Sequence, residues 1–224
     1  MSDPLLPGPH LEPADSPFEF SNTWFRDAAL PFWDELIPGL QLATVLEVGS
    51  YEGASACYLV ERIASQTPLT LHCIDTWDGG TEHQPDGSAP ADMKRVEQRF
   101  HRNIQAAIQR AAHPVDLCVH KGASDVSLVR LLAEGNAGSF DFIYIDGSHQ
   151  APDVLSDAVL AFKLLRVGGH LVFDDYIWSE PLPSGQDPIR CPKPAIDAFT
   201  TLYCRKLHIL QAPLWQLYVR KTGD

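Results

Sequence analysis

One pattern constrains this chain more than any other: from Thr44 onward, short apolar runs alternate with segments whose apolar residues recur at helical spacing. "TVLEV" reads as a short buried strand and "ASACYLVERIAS" as the helix that follows it. "LTLHCID", "VDLCVHKG" and "FDFIYID" read as further strands. Each precedes a helical stretch: "ADMKRVEQRFHRNIQAAIQRA", "DVSLVRLLAE" and "DVLSDAVLAFKLL". A turn at Gly168–Gly169 then leads into the strand "GGHLVFDDY". Such alternation predicts an α/β fold, a parallel sheet covered by helices on both faces. The tail differs. After the helix "KPAIDAFTTLYC", the runs "LHILQA" and "LWQLYVR" are joined by too few residues for a parallel crossover, so they are expected to pair antiparallel.

Residues 1–43 read as an N-terminal arm with short helices, and residues 44–224 as the main domain. The arm is acidic and proline-rich to about Asn22, and Pro31 and Pro38 break the aromatic stretch after it into short pieces. Its first residues lack the basic start and apolar core of a signal peptide, and the cysteine pattern leads to the expectation of a cytoplasmic, reducing location. A net charge of −12 opposes a nucleic-acid partner and an anionic membrane surface alike. No apolar run is long enough to cross a bilayer. The five cysteines are odd in number and form no CxxC pair, which argues against a disulfide framework or a zinc knuckle. Trp24, Phe25 and Trp33 could cover a neighbouring copy as readily as their own core, which leaves a homodimer open.

Two long polar loops, "TWDGGTEHQPDGSAP" and "SEPLPSGQDPIRCPKP", leave the carboxyl edge of the sheet, where ligands of open α/β sheets bind. The first strand runs into "LEVGSYEGAS", where Gly49 and Gly53 let the backbone approach a ligand at a helix N-terminus. A dinucleotide fingerprint would need G-x-G-x-x-G. Here the pattern is E-x-G-x-x-x-G, and Glu47 would repel a pyrophosphate but suits a ligand with a cationic amino group. A tight connection with no ligand is the alternative. The pattern resembles the glycine-rich motif of class I S-adenosylmethionine-dependent methyltransferases, whose fold is a Rossmann-like doubly wound, mostly parallel seven-stranded sheet. That resemblance implies donor binding by Glu47, Gly49, Ser50, Tyr51, Gly53 and Ser55, with Tyr51 and Ser55 at the methionine part. It also implies that Asp75 of "CIDTW" binds the ribose hydroxyls, that Ser124 and Asp125 of "HKGASD" meet the adenine edge, and that Trp77 flanks or covers the donor.

The fourth strand ends on Asp146 and the fifth on Asp174 and Asp175. Their ends are neighbours in the expected topology, so three carboxylates gather beside Glu47 and Asp75. Uncompensated, they would raise each other's pKa values, and a magnesium, calcium or manganese ion would resolve the conflict. His149 lies on the turn after Asp146, where an ordinary imidazole pKa of about 6.5 suits proton abstraction. His83 is a weaker candidate for substrate contact.

Together, "VLEVGSYEGASA", "GAS", "IDGSH" and "FDD" resemble the metal-dependent O-methyltransferases of the catechol O-methyltransferase type. They also resemble a bacterial methyltransferase group with "DTW" and "IDGSH", often encoded with natural-product or glycan biosynthesis. The resemblance implies a magnesium or other divalent-cation site at Asp146, Asp174 and Asp175, with Asp146 beside the donor. An aspartate at 175 departs from that family's asparagine. His149 stands where those enzymes carry a catalytic lysine, so His149 and Asp146 are the expected catalytic residues. The function implied is transfer of a methyl group from S-adenosylmethionine to a small-molecule hydroxyl. The alternatives are a metal-independent methyltransferase on the same fold and a non-catalytic S-adenosylmethionine-binding protein.

Overall fold

The computed structural model describes residues 16–180, 182, 185 and 187–224; the start of the N-terminal arm and part of the second long loop lie outside them. Seven strands form one sheet: β1 (Thr44–Val48), β2 (Leu69–Asp75), β3 (Val115–Lys121), β4 (Phe140–Ile145), β5 (Leu165–Phe173), β6 (Leu207–Ile209) and β7 (Leu217–Lys221). Their order is β3-β2-β1-β4-β5-β7-β6. The first five are parallel, β7 pairs antiparallel to β5, and β6 pairs antiparallel to β7. Only β7 runs against the rest, which is the antiparallel ending expected from the short connection before it. The strand order reverses between β1 and β4, and this switch point opens a crevice at the carboxyl edge.

Successive side chains of a strand point to opposite faces, and here both faces are buried. Val45, Leu71, Phe142 and Tyr144 join one core cluster, while Leu46, Val48, Ile143 and Ile145 join the other. Against the first face pack α1 (Trp24–Ala28), α2 (Leu30–Leu36), α3 (Ala54–Ile63) and α4 (Met93–Arg110). Against the second pack α5 (Ser124–Ala133), α6 (Ala151–Leu164) and α7 (Lys193–Leu202). The helix α4 begins where Asp92 accepts a hydrogen bond from the Arg95 N–H, a side-chain N-cap.

One expectation changes. The Gly168–Gly169 pair does not form a turn before the last parallel strand, because α6 passes directly into β5 at Leu165. The glycines sit inside β5, where the register slips from Phe140 opposite Leu165 to Phe142 opposite His170. Gly168 has a φ of 85°, open to glycine at little cost, and a Cβ on Gly169 would lie 3.0 Å from the carbonyl oxygens of Arg166 and Asp141. The described part of the arm packs on its own chain. Ala29, Trp33, Ile37 and Leu42 belong to the same cluster as β1 and β4, so the described segment before Thr44 is part of the core.

Trp33 anchors that segment. Its ring is fully buried, 5.4 Å from Phe142 and 4.9 Å from Tyr144, both edge-to-face, and its indole N–H donates to the Gln216 side chain at 3.1 Å. Further up the arm, Glu19 and Ser21 are stitched to the main domain. The Glu19 N–H donates to Asn103 at 2.9 Å, and the Ser21 N–H donates to the Glu52 carboxylate at 2.6 Å. Replacing Trp33 with alanine should cost about 3–5 kcal/mol of unfolding free energy, measured by denaturant titration. A loss below about 1 kcal/mol would mean that the segment is not part of the core.

Candidate active site

The turn from β1 into α3 is shaped by contact with the turn after β4. Gly49 adopts a φ of 86°, and a Cβ there would lie 1.9 Å from the Asp146 carbonyl oxygen. No side chain fits. Backbone hydrogen bonds lock the approach: the Asp146 N–H donates to the Val48 carbonyl and the Gly49 N–H to the Ile74 carbonyl, both at 2.8 Å. Two residues later Tyr51 also has positive φ, 46°, which aims its N–H at Asp75 Oδ2, 2.8 Å away. Asp75 Oδ1 accepts from the Trp77 N–H at 2.7 Å, and the Trp77 indole N–H returns to the Tyr51 carbonyl at 3.0 Å. The carboxylate of Asp75 is thus held rigidly at the carboxyl edge of β2.

A cavity of about 500 Å³ opens along this edge. Of the residues expected to bind the donor, Gly49, Tyr51, Asp75, Ser124, Asp125 and Asp146 line it. Glu47, Ser50, Gly53, Ser55 and Trp77 do not; they stand behind its wall. The Ser55 hydroxyl donates to Glu47 Oε1, so it is taken up by the protein itself. The Trp77 ring is buried against Phe100 at 4.9 Å, which corrects its expected place over the donor. Gly53 caps α3 with φ 82°.

The acid cluster also differs from expectation. Asp146, His149 and Asp175 each offer an atom, all within 4.8 Å of one another. Asp174 is not in that group. Its carboxylate accepts from the Tyr144 hydroxyl and from the Asp175 N–H, the latter at 2.8 Å. The cause is local backbone geometry: Asp175 adopts a φ of 56°, breaking the strand's alternation, and its Oδ2 meets His149 Nε2 at 2.9 Å. Positive φ in a residue other than glycine costs on the order of 1–3 kcal/mol and clusters at functional sites. Here Tyr51, Trp77 and Asp175 all carry it.

Burial first, then the charges of Asp174 and Asp175, hold the Asp146 carboxyl well above the usual carboxylate range. Burial, followed by the charge of Asp175, pushes Asp174 to about 7. For His149 burial pulls the pKa down, but the hydrogen bond to Asp175 and the charges of Asp175 and Glu82 outweigh it and raise it overall. Its Nδ1 has no hydrogen-bond partner among the described residues and lies 3.4 Å from Glu82 Oε1. Trp178 covers the ring at 4.1 Å. A carboxylate–imidazole–carboxylate set can hold a divalent cation.

Four contributors were not singled out in the sequence. Tyr144 and Gln216 form a buried relay: the Gln216 amide donates to the Tyr144 hydroxyl at 3.3 Å, and that hydroxyl lies 3.1 Å from Asp146. Glu82 is buried in the first long loop, between His149 and the expected substrate contact His83, whose Nε2 is 3.6 Å away. Its place beside His83 in "GTEHQ" was the available signal. Asp157 is buried on α6 and lines the cavity.

The strand order, the glycine turn at the switch point and the acid at the end of β2 define a class I S-adenosylmethionine-dependent methyltransferase fold. A methyltransferase-domain family matches residues 46–176, and the chain belongs to that family. An O-methyltransferase from Bacillus cereus, in complex with SAH, shares the fold at a TM-score of 0.57 and 19% identity, over 93% of this chain and 84% of that one. TomG from Streptomyces achromogenes, an O-methyltransferase involved in tomaymycin synthesis and in complex with SAM, gives 0.56 and 17%, over 86% and 78%. An uncharacterised protein of Acanthamoeba polyphaga mimivirus is 26% identical over 135 residues, 59% of this chain and 51% of that protein. Tricin synthase 1 of Oryza sativa subsp. japonica is 34% identical over 70 residues, 30% of this chain and 27% of that protein. The chain therefore spans about half the length of the first curated relative and about a quarter of the second.

Glu47 provides a stability test. Burial is the main cause that takes its pKa from 4.5 to about 7, and Oε2 has no hydrogen-bond partner among the described residues. The folded state keeps a proton that the unfolded chain releases between about pH 4.5 and 7, so this residue's contribution falls as pH rises through 7 and is flat above. The full difference is on the order of 3 kcal/mol. Denaturant titrations at pH 5 and pH 8 should show Glu47→Gln losing less stability than the wild type by about 2–3 kcal/mol. Equal losses would mean that Glu47 is not protonated in the fold.

Proposed function

We propose that this protein transfers a methyl group from S-adenosylmethionine to a hydroxyl oxygen of a small molecule, at a divalent cation held by Asp146, His149 and Asp175. The observation that carries the reading is the meeting of those three side chains, two of which, Asp146 and His149, line the cavity whose wall also holds Gly49 and Asp75. In the transfer the acceptor oxygen forms a bond to the methyl carbon as the carbon–sulfur bond breaks, the electron pair passes to sulfur, and S-adenosylhomocysteine leaves. A cation bound there would lower the pKa of a coordinated hydroxyl and fix its direction.

The chain's own residues do the rest. Gly49 lets the backbone come close to the donor, and Asp75 accepts from the ribose hydroxyls. Asp175 holds the imidazole of His149 from the Nε2 side. Glu82, which lines the cavity beside His149 Nδ1, is placed to take the acceptor's proton. Tyr144 keeps Asp174 off the cluster, so Asp174 supports the site without ligating. Tyr51 and His83 bring rings to the cavity wall, which favours a flat acceptor such as a phenol over a charged one. Donor and acceptor held in line can account for roughly 7–11 kcal/mol of a lowered barrier.

A second reading rests on the Asp175–His149 contact. A carboxylate on one imidazole nitrogen, with the other unpartnered, is the arrangement of a metal-free general base. Transfer of labelled methyl from S-adenosylmethionine to a panel of phenols and sugars, with and without chelator, separates the two. The cation reading expects chelator to cut turnover by at least a hundredfold, manganese or magnesium to restore it, and Asp146→Ala or Asp175→Ala to abolish the restoration. Full turnover in chelator sinks that reading. The dyad reading then expects a rate that climbs with pH through the raised His149 pKa.

A further inference from the structure

Four polar side chains lie buried between the arm and the acid cluster: Trp33, Gln216, Tyr218 and Tyr144, none more than 3% exposed. Their hydrogen bonds run in one direction. The Trp33 indole N–H, a donor only, meets Gln216 Oε1 at 3.1 Å, and the Tyr218 hydroxyl donates to the same oxygen. With its oxygen claimed by two donors, the Gln216 amide must turn its NH₂ end the other way. There it donates to the Tyr144 hydroxyl at 3.3 Å and acts by hydrogen bonding on the Asp174 carboxylate. The Tyr144 oxygen has thereby accepted a hydrogen bond, and its own single proton is left for the acids. It faces two of them, Asp174 Oδ2 and Asp146 Oδ2, the second at 3.1 Å. The bond to Tyr144 ties down one oxygen of Asp146, and with it the plane of the carboxylate that stands beside His149 and Asp175.

We propose that Trp33 is a positioning residue for the cation site: through Gln216 it fixes the direction of the Tyr144 proton, and so the orientation of the Asp146 carboxylate. This rests on the cation reading given above. The direction depends on the donor at position 33. An amide has nearly the same shape either way round, and what its two ends meet decides between them. Turned over, Gln216 would set its carbonyl oxygen on the Tyr144 hydroxyl, which would then donate to it, and both acids would lose their donor. An indole N–H cannot accept, so Trp33 forbids that state. Trp33 lies on α2 and Gln216 immediately before β7, so the connection joins the segment ahead of β1 to the end of the sheet and both to the site. Partners that hold a ligating side chain in this way typically account for about ten- to a hundredfold in cation affinity. The competing explanation is packing alone, since the Trp33 ring also meets the Tyr144 ring edge-to-face at 4.9 Å.

The test is manganese binding to the full chain without methyl donor, followed by the electron paramagnetic resonance signal of the free ion, each variant held below its own unfolding transition. Tyr144→Phe keeps the ring and removes the hydroxyl, and should weaken manganese binding by about ten- to a hundredfold. Trp33→Phe keeps an aromatic ring and removes the N–H, and should weaken it by about fivefold or more. In the Tyr144→Phe background the same change at Trp33 should add less than about twofold, because the hydroxyl through which it acts is gone. Gln216→Met, alone and with Tyr144→Phe, should give the same pattern, and carries the comparison where Trp33→Phe is too unstable to measure. Effects that multiply in the double variants would overturn the assignment in favour of ring packing, which Tyr144→Phe leaves in place. Unchanged manganese affinity in Trp33→Phe and Gln216→Met would overturn it too, with the cation reading intact. Failure of the wild type to bind manganese would overturn the cation reading and this inference with it.

Discussion

The site depends on one close approach, that of Gly49 to the Asp146 carbonyl. β1 and β4 are neighbours in the sheet, but the chain leaves them in opposite senses, to α3 over one face and α6 over the other. A crevice forms wherever two such connections diverge. What makes this crevice a site is that the two turns touch through backbone at its floor, with no space for a Cβ. That contact sets Tyr51 at positive φ, which places its N–H on Asp75 and its carbonyl on the Trp77 indole. The same contact brings Asp146 beside the glycine turn. One glycine thus couples the wall for the donor to the acid cluster.

The second organising force is electrostatic. A chain of net charge −12 places Glu47, Asp75, Asp146, Asp174 and Asp175 at one sheet edge, where repulsion and burial both disfavour ionisation. The fold relieves this with few cations. Backbone N–H groups hold Asp75, the Ser55 hydroxyl serves Glu47, the Tyr144 hydroxyl serves Asp174, and His149 sits between Asp175 and Glu82. Arginines are kept elsewhere; Arg99, for example, pairs with Glu52 at 2.6 Å to fasten the arm. An edge so provisioned with acceptors is complementary to a donor that carries an ammonium and a sulfonium.

Much of this was legible in the sequence because its cause is local. The strands announce themselves by composition, and their last residues are the polar ones that end the apolar runs: "EVG", "CIDTW", "YIDGSH" and "FDDY". What stayed hidden depends on geometry that no spacing encodes. The left-handed turn at Asp175 decides that Asp174 goes to Tyr144 while Asp175 goes to His149, and an adjacent pair of acids reads the same either way. Gln216 reaches Tyr144 across 72 residues of sequence, a contact set only by the pairing of β5 with β7. The sequence leads to the expectation that Trp77 flanks or covers the donor. Its indole N–H, drawn to the Tyr51 carbonyl, brings it into the core instead.

Asp157 shows how the two kinds of signal combine. Its place on the apolar stripe of α6, between Val154 and Ala161, is visible in the sequence as a charge on the wrong face. A charge there is ordinarily paired, and pairing would have made it a core curiosity. The structure instead places it on the wall of a cavity large enough for a nucleoside, with the Ser124 side chain beside it. His149, on the same cavity wall, has an Nδ1 without a hydrogen bond among the described residues and the Glu82 carboxylate 3.4 Å from it.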